Sequence, residues 1–168
     1  SGAIASYLQA EVLSIDTETT GLDPHTDQIR LIQIAAPDLP VFVIDVFKVP
    51  NALNELKPLF RGSAVKVFQN AKFDLKFLAQ AGVTTEGELF DTMIAAQLLQ
   101  AGLPKKEKGA KLDAIAQKYL GVDLPKEEQL SDWAAESLTK SQVQYAANDA
   151  AILLPLRDAL KKQLIQAK

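Results

Sequence analysis

The chain contains no cysteine and only one histidine, one methionine and one tryptophan among its 168 residues. Without cysteine there is no disulfide framework, no thiolate zinc site, no iron-sulfur cluster and no cysteine nucleophile. The single histidine, His25, leaves little room for a site built on two imidazoles. Chemistry here has to run on carboxylates, hydroxyls or a bound metal. A basic excess is missing too: 18 Lys+Arg stand against 21 Asp+Glu, a formal net charge of -3, whereas most nucleic-acid-binding domains display positive charge. No apolar run approaches the ~20 residues of a membrane span, and no charged-then-apolar leader opens the chain. The expectation is a cytoplasmic protein with no membrane partner.

What is present is a globular composition, 48% hydrophobic and 23% charged, with enough apolar mass to bury a core. The length fits a single domain over residues 1–168. Ser1-Gly2 opens the chain without a methionine and reads as the remnant of a cleaved tag, which suggests a domain excised from something longer.

Residues 11–17 read as a short strand ending in the polar turn Thr19-Thr20-Gly21. Strands over 28–36 and 41–45 follow, joined by the short Pro37-Asp38-Leu39-Pro40 link, and the three predict an antiparallel meander. Asn51 caps an expected helix through Phe60, and 65–68 reads as an apolar strand. Helices are expected over 72–81, ending at Gly82, then over 91–99 and over 111–120, ending at Gly121. A last long helix begins at Ser141, with Gln144 completing a capping box, and carries Pro155 as a kink site and a Lys-rich end. The stretch Gly102–Gly109 is the expected mobile loop. Strands first and helices later predict an α/β layered fold with a partly antiparallel sheet.

Four carboxylates stand out against this layout. Asp16 and Glu18, two apart on a strand, leave the same face of the sheet. Alone, the pair reads as an ordinary solvated strand face. Asp74 shares the apolar stripe of Phe77, Leu78 and Ala81 on its helix, although an acid favoured by the helix dipole explains it equally well. Tyr145 and Asp149 stack one turn apart on a helix that is apolar nearly all round, and a core tyrosine satisfied by an aspartate accounts for them in isolation. Together these bland explanations fail, because converging carboxylates repel unless they share protons or bind a hard cation. A divalent-metal site is the economical reading.

The segments Ile15-Asp16-Thr17-Glu18-Thr19-Thr20-Gly21-Leu22, Gln69-Asn70-Ala71-Lys72-Phe73-Asp74 and Tyr145-Ala146-Ala147-Asn148-Asp149 resemble the three exonuclease motifs of the DEDD superfamily, in the right order. The tyrosine four residues before the last aspartate marks the DEDDy branch, which includes the proofreading domains of family A DNA polymerases and the ribonuclease D group. The sister branch places a histidine in the third motif, and His25 lies elsewhere. The resemblance runs from about Glu11 to Leu160 and extends to Phe90-Asp91-Thr92-Met93 and to residues 129–133, with Ser131-Asp132-Trp133 at their end. Gln69-Asn70 leans toward the polymerase version and Ser131-Asp132-Trp133 toward ribonuclease D.

The resemblance implies a ribonuclease H-like fold, with a central mixed sheet whose first three strands are antiparallel, flanked by helices. It implies 3′-to-5′ hydrolysis of single-stranded ends to nucleoside 5′-monophosphates, DNA ahead of RNA, with proofreading as the setting and a linked polymerase domain as a possible partner. Ribonuclease D-like RNA trimming is the alternative, and a non-catalytic module that holds strand ends is another. The implied cofactors are two Mg²⁺ or Mn²⁺ ions, with Asp16 bridging, Glu18 and Asp149 completing the first and Asp74 holding the second. Tyr145, with Glu18, would orient the attacking water. By motif position, Leu22 is expected to wedge against the terminal base, and Thr19 and Asn70 to contact the terminal nucleotide. The lysines at 105, 106, 108 and 111 read first as a solvated loop and second as phosphate contacts. Two divalent ions would turn the net charge of -3 slightly positive, so the acidity belongs in part to the metal site itself.

Overall fold

The alternation at the start of the chain forms β1 (Val12–Thr19), beginning one residue later and ending two residues later than predicted. In the computed structural model, which describes residues 2–104, 109–125, 127–128 and 130–167, β2 (Ile29–Ala35) and β3 (Phe42–Asp45) complete the expected antiparallel meander. Ser1, the lysines at 105, 106 and 108, and Gln129 lie outside the described residues, as does the middle of the Gly102–Gly109 stretch. On the other side of β1 lies β4 (Val65–Phe68), parallel to it, and β5 (Leu89–Asp91) is parallel to β4 at the edge. The order β3-β2-β1-β4-β5 makes a mixed sheet with β1 in the middle. β5 has no counterpart in the sequence prediction, because three residues are too few to show a period of two.

The helices are α1 (Gly2–Tyr7), α2 (Ala52–Arg61), α3 (Ala71–Gln80), α4 (Thr92–Leu99), α5 (Leu112–Leu120) and α6 (Lys140–Gln166). The sequence predicts no element before residue 11, yet α1 is held to the sheet side of the molecule by buried Tyr7, whose hydroxyl donates to the Pro40 carbonyl. Asn51 precedes α2 in a left-handed conformation and makes no side-chain cap, so the predicted capping bond is not formed. The long helix starts earlier than expected. Its capping box is Thr139 with Gln142, not Ser141 with Gln144. Both pairs have the right spacing, and tertiary contacts choose between them: Leu138 packs beside Trp133, and buried Gln142 also donates to the Asp132 carbonyl at 3.3 Å. α6 continues through the exposed Pro155 to Gln166.

The two faces of the sheet are covered differently. Leu13 and Ile15, with Ile32, Ile34 and Ile44, pack on Leu56, Leu59 and Phe60 of α2 and on Phe77 and Leu78 of α3. Each such buried side chain contributes roughly 1.5–3 kcal/mol. Over the opposite face runs α6, close enough that the Ser14 hydroxyl donates to the Ala150 carbonyl at 2.7 Å. Farther along, α6 joins α4 and α5 through Leu156, Leu160, Ala95, Ala96 and Ile115. Every residue of β2 is buried, since helices or segments cover it on both sides. Arg30, 1% exposed, pairs with Asp45 at 2.9 Å and donates to the carbonyls of Trp133, Ala135 and Glu136, which ties the segment before α6 to the sheet.

Candidate active site

The last turn of β1 is where the acidic residues gather. Asp16 and Glu18 face α6, and the strand bulges between Glu18 and Thr19 before it leaves the sheet. The chain then turns sharply. A Cβ on Gly21 would stand 2.3 Å from the Asp27 carboxylate, which accepts the Asp23 N–H at 2.9 Å, so any larger residue here would push Asp27 off that bond. The tip projects Leu22, 83% exposed. Thr19 is buried and its hydroxyl donates to the Gly21 carbonyl at 2.6 Å, which makes it part of the turn's own framework. His25 sits in the same exposed turn, its N–H on Asp23.

From the other face of the sheet, α3 delivers Asp74. It is buried, and it accepts a hydrogen bond from the Thr17 hydroxyl at 2.7 Å. Asn70, just before α3, is left-handed at φ 59° and gives its helix no side-chain cap. That role falls to Asp91. Its carboxylate accepts the N–H groups of Asn70 (3.1 Å) and Ala71 (2.8 Å) at the start of α3, and of Met93 (2.9 Å) and Ile94 (3.2 Å) at the start of α4. One side chain thereby satisfies the orphan donors of two helices, where its charge also suits both dipoles. Next to it, the Thr92 hydroxyl donates to Gln69 Oε1 at 2.6 Å, and Gln69 Nε2 donates to the Ala110 carbonyl at 2.8 Å. Sequence reasoning places Asp91 inside a helix and gives it no role at the site. An acid before a helical run is a visible N-cap signal for α4, but the bond to α3 joins residues 20 and 21 positions apart.

The third element is α6, whose Tyr145 and Asp149 stack one turn apart and share a hydrogen bond from the tyrosine hydroxyl to the carboxylate. Asp16, Asn70, Tyr145 and Asp149 line a cleft of about 410 Å³, together with Met93, Lys111 and Asp113. The structure therefore brings the four predicted carboxylates and Tyr145 into one neighbourhood, with Asn70 at its wall. Leu22 and Thr19 lie outside the cleft lining. Asp113, on the first turn of α5, is a fifth acid that the sequence does not single out.

Electrostatics records the crowding. Asp16 is held well above the usual carboxylate range by burial and then by the charges of Glu18, Asp74 and Asp149. Burial first, then Asp149 and Asp74, push Glu18 up to about 8. Asp74 is raised to about 7 by burial, against the opposing hydrogen bond from Thr17. Asp149 is raised to about 6 by burial, opposed by the Tyr145 hydroxyl and assisted by Asp113. Burial and the neighbouring acids raise Tyr145 as well, so its hydroxyl keeps its proton at neutral pH. Among the described residues none of the four acids forms an ion pair with lysine or arginine. An all-oxygen donor set with excess negative charge fits a hard divalent cation. The side chains converge without closing on one point: among the described residues no three acids stand in the arrangement of a metal-ligand group.

A mixed sheet with carboxylates from three elements meeting at the end of its central strand defines a nuclease domain of the ribonuclease H-like type, the fold shared by solved relatives such as Escherichia coli ribonuclease D (26% identical, TM-score 0.82, covering 96% of this chain and 42% of that one). The 3′-5′ exonuclease family matches residues 1–165, and the chain belongs to it. Among curated relatives, DNA polymerase I of Aquifex aeolicus is 36% identical over 96% of this chain and 26% of its own length. Ribonuclease D of Bartonella henselae is 31% identical over 99% of this chain and 40% of its own. The chain thus spans between a quarter and two fifths of these two relatives. The solved structure of Brucella melitensis NrnC bound to pGG is 34% identical, with a TM-score of 0.83 over 96% of this chain and 76% of that one; the same protein has also been solved with bound Mg²⁺. The chain thus belongs to a family of 3′-5′ exonucleases, one solved relative of which holds a divalent ion. No helix among the described residues is long and apolar enough to cross a membrane.

Proposed function

We propose that this domain hydrolyses single-stranded DNA from the 3′ end, releasing nucleoside 5′-monophosphates, with proofreading beside a polymerase as its setting. The observation that carries the reading is the gathering of Asp16, Glu18, Asp74 and Asp149 in one neighbourhood beside the cleft that Asp16 and Asp149 line, each raised by burial and by another acid, with no ion pair to lysine or arginine among the described residues. These four side chains would hold two Mg²⁺ or Mn²⁺ ions. Bound there, divalent ions supply charge stabilisation to the phosphate and lower the pKa of the attacking water. The chain's own groups do the rest. Tyr145, protonated at neutral pH, orients that water by hydrogen bonding with Glu18 beside it and is no base itself. Asn70 and the apolar Met93 on the cleft wall receive the terminal nucleotide without reading its base, and Leu22 at the turn tip separates that base from its neighbour.

One observation favours RNA instead. Ribonuclease D and NrnC are about as similar to this chain as DNA polymerase I is, and the NrnC structure holds pGG. The test is digestion of 5′-labelled single-stranded DNA and RNA of one sequence with Mg²⁺ or Mn²⁺, beside Asp16→Ala. Stepwise shortening from the 3′ end, faster on DNA and lost in the variant, is the expected result. Faster shortening of RNA would move the assignment to RNA trimming. No metal-dependent release of mononucleotides from either substrate would overturn the enzymatic reading.

A further inference from the structure

Gln33, in the middle of β2, is fully buried at 0% exposure, and neither its amide oxygen nor its amide nitrogen has a hydrogen-bond partner. Buried polar groups are paired as a rule, because an unpaired one keeps the whole penalty of leaving water. The sheet register shows which group is within reach. Gln33 stands directly opposite Asp16 in the antiparallel β1–β2 pair, so both side chains leave the same face. Their Cβ atoms are then roughly 4.5–5.5 Å apart, less than the length of a glutamine side chain plus a hydrogen bond. Asp16 is the nearest polar side chain on that face: Glu18 on β1 and Asp45 on β3 stand a diagonal step farther off, and Asp45 is held by Arg30. Val43 opposite it on β3, and Leu31 and Ala35 two residues away on β2, are apolar. The Ser14 hydroxyl is already given to the Ala150 carbonyl, and α6 closes the face with Ala146 and Ala150.

We propose that Gln33 is a positioning residue for Asp16: turned toward its cross-strand partner, its amide N–H donates to the carboxylate oxygen nearer the sheet and leaves the other oxygen directed at the cleft, ready for a divalent ion. The proposal rests on the reading of Asp16 as a metal ligand. A carboxylate held in this way enters coordination with its orientation already chosen, and supporting hydrogen bonds of this kind commonly change metal affinity by about 10–100-fold. A simple space-filling role makes the opposite demand. An apolar side chain of similar volume would then relieve the unpaired amide and leave metal binding as it was.

The test is Mn²⁺ titration followed by electron paramagnetic resonance, without nucleic acid, on the wild type, Gln33→Met, Gln33→Leu and Asp16→Ala, with the melting temperature of each. Methionine keeps the length of the side chain and leucine its bulk, so a folding defect peculiar to one is exposed by the other. The expected result is Mn²⁺ binding weakened about tenfold in both Gln33 variants, with melting temperatures no lower than that of the wild type. An affinity loss smaller than about fivefold in a variant that melts like the wild type would overturn the proposal. So would a loss that appears only together with a lowered melting temperature in both variants, since the amide would then serve the fold. Wild-type Mn²⁺ binding in Asp16→Ala would instead strike the underlying reading, because Asp16 would not be a ligand.

Discussion

The two faces of β1 come from the same eight residues and follow opposite rules. On one side Leu13 and Ile15 meet α2 and α3 in a continuous apolar core that holds the fold together. On the other, Ser14, Asp16 and Glu18 lie under α6, where burial works against the charges it encloses. A strand that alternates can serve both ends at once. One set of side chains supplies the stability that the other set spends. Thr17 marks the crossing point, since it belongs to the apolar face yet donates to Asp74 and so brings α3's acid round to the charged side.

This contrast can be broken first on the acid side. Asp16→Ala and Asp149→Ala are expected to reduce turnover by on the order of a thousandfold or more, about 4 kcal/mol of barrier, while the melting temperature of the metal-free protein stays level or rises. Tyr145→Phe should keep measurable turnover, as it loses a hydroxyl and no ligand. A steady-state assay beside a thermal melt checks all three. Near-wild-type turnover in Asp149→Ala would show that α6 does not contribute to the site.

The mirror experiment is Ile15→Ala, one residue earlier on the same strand. Its cavity should cost about 2–5 kcal/mol in urea unfolding, while activity per folded molecule is retained. A large loss of activity without a loss of stability would mean that the two faces are not separable. Asp91→Ala lies between these extremes. It removes the acceptor for two helix starts, at roughly 1 kcal/mol each, and frees Asn70 and the first turn of α3. Stability should fall by about 2 kcal/mol and turnover should fall with it, because the helix that carries Asp74 is no longer tied down.

The smallest effect is that of pH. Glu18 at about 8, Asp74 at about 7 and Asp149 at about 6 all lie above the ~4 of an unfolded carboxylate, so the folded protein binds more protons than the unfolded chain in between. Their contribution to stability is therefore full below about pH 4 and is lost as pH rises toward 8. The metal-free protein should melt a few degrees lower at pH 8 than at pH 5, and Mg²⁺ should raise the melting temperature more at pH 8. Asp16→Ala should flatten both trends. A melting temperature that climbs from pH 5 to 8 without metal would contradict the crowding of these acids.

Much of this was visible in the one-dimensional pattern. Periods of two and of 3.6 mark β1 to β4 and the helices from α2 onward, and Gly82 and Gly121 stop their helices in the left-handed conformations that only glycine adopts at ease, at φ 74° and 69°. The acids and Tyr145 could be found because a charge inside an apolar pattern breaks a local rule, and such breaks need no knowledge of distant neighbours. Local pattern fails where two candidates obey the same rule, as with Thr139 and Ser141. It fails again where the decisive partner is remote in the chain. Asp91 looks like any helix cap until α3 is laid beside it, and Gln33 looks like an ordinary strand residue until the register sets it across from Asp16. Residue type and spacing thus decide which side chains can do chemistry, since both are local properties. Which oxygens stand together, how far their protons are held, and which neighbour steadies them depend on contacts such as Thr17 with Asp74 and Ser14 with Ala150, 57 and 136 residues apart, which exist only once the sheet and α6 have closed.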